Sequence, residues 1–402
     1  MRIALVIERM DPSRGGRERS TMQIARHLAA RGHDVDVLCQ GDAAAADPAP
    51  DAGGRVVCRP LGRRGLTYAR RLAAFVGDVG DAVRGVYDVV HATLPVPVAD
   101  IYEPRGGTVP ARMAASLRRR CLPARTVARA TAGLNSRRRA MSRLEAQVVG
   151  DARIACLAVS RMVAREFAEH YGRSENVHVV YNAVDAPSPD DPRRDDWRQE
   201  QRFRLGMDRD EVLFLTVATN FALKGVDRTI EAFARWAHAA RGRRGRLVIV
   251  GREHAEPYAR HASLRDVGGR VTFVERTDEV FRWYAAADVC VLLSWYDPCS
   301  RVVLEATRWG IPSITTAYNG AAEVLTEGAA SPRADPSSCD GAAGIVVDSP
   351  RDVRAAAEAM AELSEPDERA RYARAGLSAA PTLSMQRYID ELLGIYERLG
   401  RH

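Results

Sequence analysis

VATNFALKGVDRTIEAF, residues 217–233, closes one secondary-structure element and opens the next. The apolar run Val212–Val217 ends in it as a buried strand would. A short polar turn follows, and Lys224-Gly225 then opens a helix. Lys224 is the chain's only lysine: every other basic residue among the 59 Lys and Arg is arginine. A compact ammonium differs from a planar guanidinium chiefly where a point charge meets phosphate oxygens at close quarters. A helix start beside it adds unpaired N–H groups that attract anions. The plain alternative is a surviving lysine on an exposed turn.

Outward from this stretch, the same alternation continues. In the second half, strands are predicted at Val212–Val217, Arg246–Val250, Arg270–Val274, Asp288–Leu293, Ile311–Thr315 and Ile345–Val347, with helices between them. Ser349-Pro350 reads as an N-cap with proline at the first helical position. Runs such as LVIV and VCVLL are continuously apolar, as parallel strands covered on both faces are. The first half reads alike. Its predicted strands are Ile3–Ile7, Val35–Cys39, Val56–Cys58, Asp88–Leu94, Ala155–Val159 and Val177–Tyr181, and its helices include Tyr68–Val83 and Arg161–Tyr171, the latter capped by Ser160. Gly15-Gly16 turns the first strand into a helix that Gly32 stops. That turn suits a ligand approaching the backbone, or simply a tight bend. It is not a GxGxxG dinucleotide fingerprint.

At 402 residues the chain exceeds the size at which one core stops growing. The expected architecture is α/β: two tandem Rossmann-like, doubly wound domains facing a central cleft, with a C-terminal helix crossing back to the first domain. The boundaries read as 1–183, a proline- and charge-dense linker 184–206, a second domain 207–380, and the helix 381–402. Ile3–Ile7 is too short an apolar run for a signal peptide or a membrane span. Seven scattered cysteines without a CxxC suggest reduced thiols and no zinc site.

A net charge of +7 allows an anionic partner. Residues 112–143 are arginine-rich and hold no acid, with runs at Arg118–Arg120 and Arg137–Arg139. Interspersed apolar residues suit an anionic lipid surface, each cation contributing about 1 kcal/mol. Nucleic acid competes, but aromatic stacking residues are missing, and a solvated face in an arginine-biased chain is the plain reading. The stretch Pro95–Thr108 (PVPVADIYEPRGGT) is too polar and too rich in Gly and Pro for a core segment. It sits where open α/β sheets bind ligands, which makes His91, Asp100, Glu103 and Arg105 candidate cleft residues.

Asp297–Glu305, DPCSRVVLE, is the second sharp signal. Asp297 precedes a helix and Glu305 lies about two turns inside it, so the pair could grip different parts of one extended ligand. The N–H groups at Ser300, Arg301 and Val302 are those a helix leaves unpaired. A dipole-satisfying aspartate plus an exposed glutamate is the bland alternative.

Taken together, the Gly-Gly turn, the Lys-Gly turn, the acid-x7-Glu segment and the tandem domains resemble the GT-B glycosyltransferases, specifically glycosyltransferase family 4. Within it the chain is similar to the lipopolysaccharide core glucosyltransferases, which share the LKGVDRTIEA-like continuation and a GG-x-x-Arg start, here Gly15, Gly16 and Arg19. The resemblance implies a retaining hexosyl transfer from a nucleotide-diphosphate sugar, UDP-glucose-like, to a hydroxyl of a membrane-associated glycan or glycolipid, with no metal or other cofactor. It also implies a cytoplasmic protein, peripheral on the inner face of the membrane, that meets no nucleic acid.

By the same resemblance, Lys224 would neutralise the donor diphosphate, and Gly15 and Gly16 would admit its phosphate and sugar. Asp297, where the family has Glu, would bond the sugar hydroxyls, and Glu305 the ribose. Ser300, Arg301 and Val302 would line the sugar and pyrophosphate, and Glu275, Arg276 and Thr277 would face the nucleobase. Asn220 and Leu223 occupy the positions of the family's second cation, a duty that Arg19 could assume. Asp100 and His91 are candidates for positioning the acceptor. Two other readings fit the fold: a nucleotide-sugar epimerase, and a non-catalytic carbohydrate- or membrane-binding protein.

Overall fold

A computed structural model describes residues 1–11, 16–41, 53–120, 123–126, 135–239, 244–327 and 341–399. Gly15, Cys121 and Cys339, with the middle of the arginine-rich segment, lie outside these. The chain divides into two units, Met1–Tyr181 with Met385–His402, and Asn182–Ser384.

The first unit is built on a seven-stranded parallel sheet. Its strands are β1 (Arg2–Ile7), β2 (Asp34–Cys39), β3 (Val56–Pro60), β4 (Val89–Ala92), β5 (Ile101–Tyr102), β6 (Ala155–Ala158) and β7 (Val177–Val179). They run in the order β3-β2-β1-β4-β5-β6-β7. Alternate side chains of β1 face opposite helical layers, and all of Ile3–Ile7 is buried, so the strand must be apolar throughout. On one face Ala4, Val6 and Val90 pack with Leu72, Phe75 and Val79 of the helix Tyr68–Val83. Ser160 caps the helix Arg161–Tyr171, its Oγ accepting from the Val163 N–H at 3.3 Å.

One expectation fails here. Pro95–Thr108 is not a surface loop: it contributes β5, and Ile101, Tyr102 and Glu103 are buried. The C-terminal helix Met385–Leu399 belongs to this unit, as expected, and buries Tyr388, Ile389, Leu392 and Tyr396. Its outer face is held by Arg31, which bonds Asp390 at 2.5 Å.

The second unit has a six-stranded parallel sheet of β8 (Val212–Ala218), β9 (Gly245–Gly251), β10 (Val271–Val274), β11 (Val289–Leu292), β12 (Ser313–Thr316) and β13 (Gly344–Val347), in the order β10-β9-β8-β11-β12-β13. Phe214, Phe233 and Trp236 form its aromatic centre, with Phe214 and Trp236 edge-to-face at 4.8 Å. The predicted cap at Ser349 shifts to Asp352, which accepts from the Ala355 N–H at 3.0 Å, so that helix starts at Val353.

The predicted linker 184–206 is part of this unit. Its helix Arg194–Arg204 stacks Trp197 on Trp309, centroids 6.4 Å apart, and sends Arg198 and Arg202 to Asp288 at 2.6 and 3.0 Å. Part of the dense charge that suggested a linker is spent on an ion-pair triad around the buried carboxylate of Asp288. In both sheets the order reverses at one seam, between β1 and β4 and between β8 and β11. Ligands of open α/β sheets bind outside the strand C-termini at such a seam.

Candidate functional site

The second unit's seam carries the two sharpest sequence signals. β8 ends at Ala218, and the chain turns tightly through Asn220, whose Oδ1 accepts from the Leu223 N–H and whose carbonyl accepts from the Lys224 N–H, both at 2.9 Å. Asn220 therefore shapes the turn that presents the lysine. Gly225 follows with φ +66°, and a Cβ there would lie 2.0 Å from the Leu293 carbonyl oxygen, so only glycine lets the turn close on β11's end. The helix Val226–Ala239 then begins.

The Lys224 Nζ forms an ion pair with Asp297 Oδ2, on the loop after the neighbouring strand β11. Asp297 is 7% exposed and its lysine partner about a fifth, so the charges sit in a shallow recess. Asn319, 1% exposed, is the fixing point beneath. Its Oδ1 accepts from the Ser300 N–H at 3.1 Å and the Ala321 N–H at 3.0 Å, while its Nδ2 donates to Thr315 Oγ1 at 2.9 Å. Backbone bonds Asp297 N–Tyr318 O and Gly320 N–Asp297 O complete the clamp. On the other side Asn182 donates to the Cys299 carbonyl at 2.8 Å.

Ser300 caps the helix Arg301–Arg308 without a side-chain cap bond, which leaves that end's N–H groups without intrahelical acceptors. Glu305 lies further along. Its Oε2 accepts from the hydroxyl of buried Tyr284 at 2.9 Å, and its Oε1 is 3.8 Å from Arg301 Nε. Burial, then the Glu305 charge, pushes the Tyr284 phenol well above its usual pKa, so it stays a donor. Glu275, Arg276 and Thr277 follow β10, two strands from β8 on the same edge of the sheet. Thr277 Oγ1 there accepts from the Glu279 N–H at 3.0 Å.

In the first unit, a cavity of about 570 Å³ opens at the seam between β1 and β4, lined by Glu8, Thr93, Leu94, Tyr102 and several arginines. Gly16 starts the first helix with nothing within 4 Å of a Cβ built on it, and Arg19 lies in that helix's first turn.

His91 does not face the cavity as an acceptor-positioning group would. It is 2% exposed, with Nδ1 2.8 Å from the Tyr396 hydroxyl and Nε2 3.1 Å from Glu103 Oε2. Glu103 in turn bonds Arg105 at 2.7 Å and accepts from the Tyr388 hydroxyl at 3.1 Å. This network ties the C-terminal helix to the sheet. Asp100 precedes β5 and accepts from the Val90 N–H at 2.7 Å, at the edge of the sheet opposite the strand C-termini. Neither residue lines the cavity of this unit: His91 is buried in the network, and Asp100 braces β4 from the opposite end of the sheet.

Residues 14–187 match the Glycosyltransferase Family 4 model and residues 198–377 the model for Glycosyl transferases group 1. The two matches fall on the two doubly wound parallel-sheet units in turn, and the chain belongs to the family 4 glycosyltransferases of the GT-B type.

The D-inositol 3-phosphate glycosyltransferase of Nocardioides sp. is 27% identical over 96% of this chain and 85% of its own. The lipopolysaccharide glucosyltransferase WaaG of Escherichia coli K12 is 31% identical over 32% of this chain and 34% of its own. A crystal structure of WaaG shares the fold at TM-score 0.74 and 23% identity, covering 98% of this chain and 99% of that one. Anabaena HepE, solved with UDP-glucose, shares it at TM-score 0.69 and 17% identity, covering 98% and 100%.

Proposed function

We propose that this glycosyltransferase moves a hexose from a nucleotide-diphosphate sugar, UDP-glucose-like, to a hydroxyl of a membrane-associated glycan or glycolipid, with retention of configuration. The observation that carries this is the Lys224–Asp297 pair beside the open start of the helix Arg301–Arg308, at the seam between β8 and β11. As the anomeric C–O bond breaks, negative charge grows on the departing diphosphate. An ammonium and a helix N-terminus placed in advance stabilise that charge by several kcal/mol. The acceptor oxygen forms the new bond to the anomeric carbon, and its proton passes to a diphosphate oxygen.

In this reading Lys224 meets the diphosphate, Asp297 the sugar hydroxyls, Ser300, Arg301 and Val302 the sugar and pyrophosphate, and Glu305 the ribose. Glu275, Arg276 and Thr277 flank the base, and Gly15, Gly16 and Arg19 admit the donor from the first unit, whose cavity takes the acceptor. Metal is not required, because protein cations carry the leaving-group charge. No helix among the described residues is long and apolar enough to cross a membrane. Contact with the inner face would run through the arginines of 112–143.

A thermal-shift panel of UDP-, GDP- and ADP-glucose tests the donor, since a ligand that binds only the native state raises the melting temperature. The UDP-sugar is expected to give the largest shift. No shift with any of the three would sink the reading, and an epimerised sugar formed without acceptor would favour an epimerase.

A further inference from the structure

The cavity of the first unit has a charge pattern that the transfer reaction does not itself require. Arg17 reaches it from the first turn of the helix Gly16–Ala30, and Arg112 from the first turn of the helix Val109–Arg118. They converge on the turn at Gly106. A Cβ built on Gly106 would lie 3.6 Å from Arg112 Nη1 and 4.0 Å from Arg17 Nη1. Among the described residues, no carboxylate forms an ion pair with either guanidinium. Arg138 adds a third charge to the lining.

The acids on the wall do not cancel them. Glu8 is engaged with Arg137 at 3.9 Å, which leaves Glu18 against Arg9, Arg17, Arg112 and Arg138. Leu94, Met113 and Met141 supply apolar wall, which keeps water from screening the charges as fully as on an open surface. Two forked guanidiniums closing on one glycine turn suit a group that offers several oxygens and more than one negative charge. A phosphate monoester, at about −1.5 to −2 near pH 7, meets that description better than a carboxylate.

We propose that the acceptor is phosphorylated, and that Arg17 and Arg112 hold its phosphoryl group at the Gly106 turn. This rests on the reading of the first unit as the acceptor side. The phosphate could belong to a free sugar or polyol phosphate or to a lipid headgroup; the guanidinium chemistry is common to both.

Binding to the full chain is measured by calorimetry with D-inositol 3-phosphate, uncharged myo-inositol and short-chain dihexanoyl phosphatidic acid, and separately with UDP. A phosphate probe should bind at least about tenfold more tightly than inositol. Arg17→Gln and Arg112→Gln should each remove about 10- to 100-fold of that affinity, the range of a hydrogen bond to a charged group, and Arg112→Lys should recover part of it. Whichever phosphate probe binds tighter identifies the source as free or lipid-borne.

Among the described residues no side-chain bond to Arg17 is formed, so Arg17→Gln is informative even if Arg112→Gln is unstable. Equal binding of inositol and both phosphate probes, or unchanged phosphate affinity in Arg17→Gln, overturns the proposal. So does a loss confined to UDP affinity. If UDP binds in a Lys224-dependent way while the phosphate probes fail, this inference falls alone. If the phosphate probes bind and UDP does not, the reading of the donor as a UDP-sugar falls alone.

Discussion

Lys224 and Asp297, 73 residues apart in sequence, form an ion pair across the ends of the adjacent strands β8 and β11. The carboxylate holds the ammonium at the seam. In the proposed reaction the diphosphate draws the ammonium forward and leaves Asp297 to accept from sugar hydroxyls. Lys224→Ala is therefore expected to lower turnover by about 100- to 1,000-fold, the effect of deleting one donor to a developing anion. Lys224→Arg keeps the charge but replaces a point donor with a planar fork, so it should recover little. The check is a transfer assay with UDP-sugar alongside thermal melting. Near-normal turnover in the folded Lys224→Ala protein would remove the lysine from the reaction.

Asn319 should matter to stability and to donor affinity together. Truncation to alanine leaves the Ser300 and Ala321 N–H groups without an acceptor in a buried site, at a cost of about 2–4 kcal/mol. Asn319→Asp keeps the accepting oxygen but loses the bond to Thr315 and buries a carboxylate, so it should recover only part of the loss. Urea unfolding and donor KM report the two effects. An Asn319→Ala protein as stable as the wild type would mean that the clamp on the Ser300 loop contributes nothing.

The strand-to-helix positions of Lys224 and Asp297 were legible because continuous apolar runs mark parallel strands and their C-terminal ends locate the seam. Asn319 was not: in TTAYNG it reads as an ordinary turn residue, and its value lies in contacts with a loop 19 residues earlier. Glu103 reads as a candidate cleft residue in a polar segment, and the structure buries it instead. Beyond Arg105, its partners Tyr388 and His91 come from a C-terminal helix and an interior strand, and local sequence shows neither pairing. The same holds for 184–206, where proline and charge signalled a linker. What overrides that signal is Asp288, a buried acid that needs both Arg198 and Arg202.

Acid should weaken the first unit through Glu103. Burial disfavours its charged form, but the Arg105 charge and the bond from His91 outweigh burial and hold its pKa at about 2. A carboxyl depressed below its unfolded value of about 4.3 contributes stability that is complete above that pH and is lost as pH falls toward 2. Urea midpoints of the wild type should fall across this window. Glu103→Gln should be less stable at neutral pH and show a flatter acid limb, because it has no proton to take up there. An unchanged slope would place the acid sensitivity elsewhere.

Tyr284 separates positioning from folding at Glu305. Its hydroxyl is buried and donates to Glu305 Oε2 at 2.9 Å, which fixes one carboxylate oxygen and leaves the other turned toward Arg301. If Glu305 holds the ribose, its angle depends on this bond. Tyr284→Phe keeps the ring in its place against Phe281, 5.7 Å away, and removes only the donor. The stability cost should be about 1 kcal/mol. Donor KM should rise by roughly tenfold while kcat changes little, since the lost interaction serves ground state and transition state alike. Steady-state kinetics at varied UDP-sugar checks this. A fall in kcat at constant KM would instead tie Glu305 to the departing diphosphate, and no change in either would take it out of the donor site.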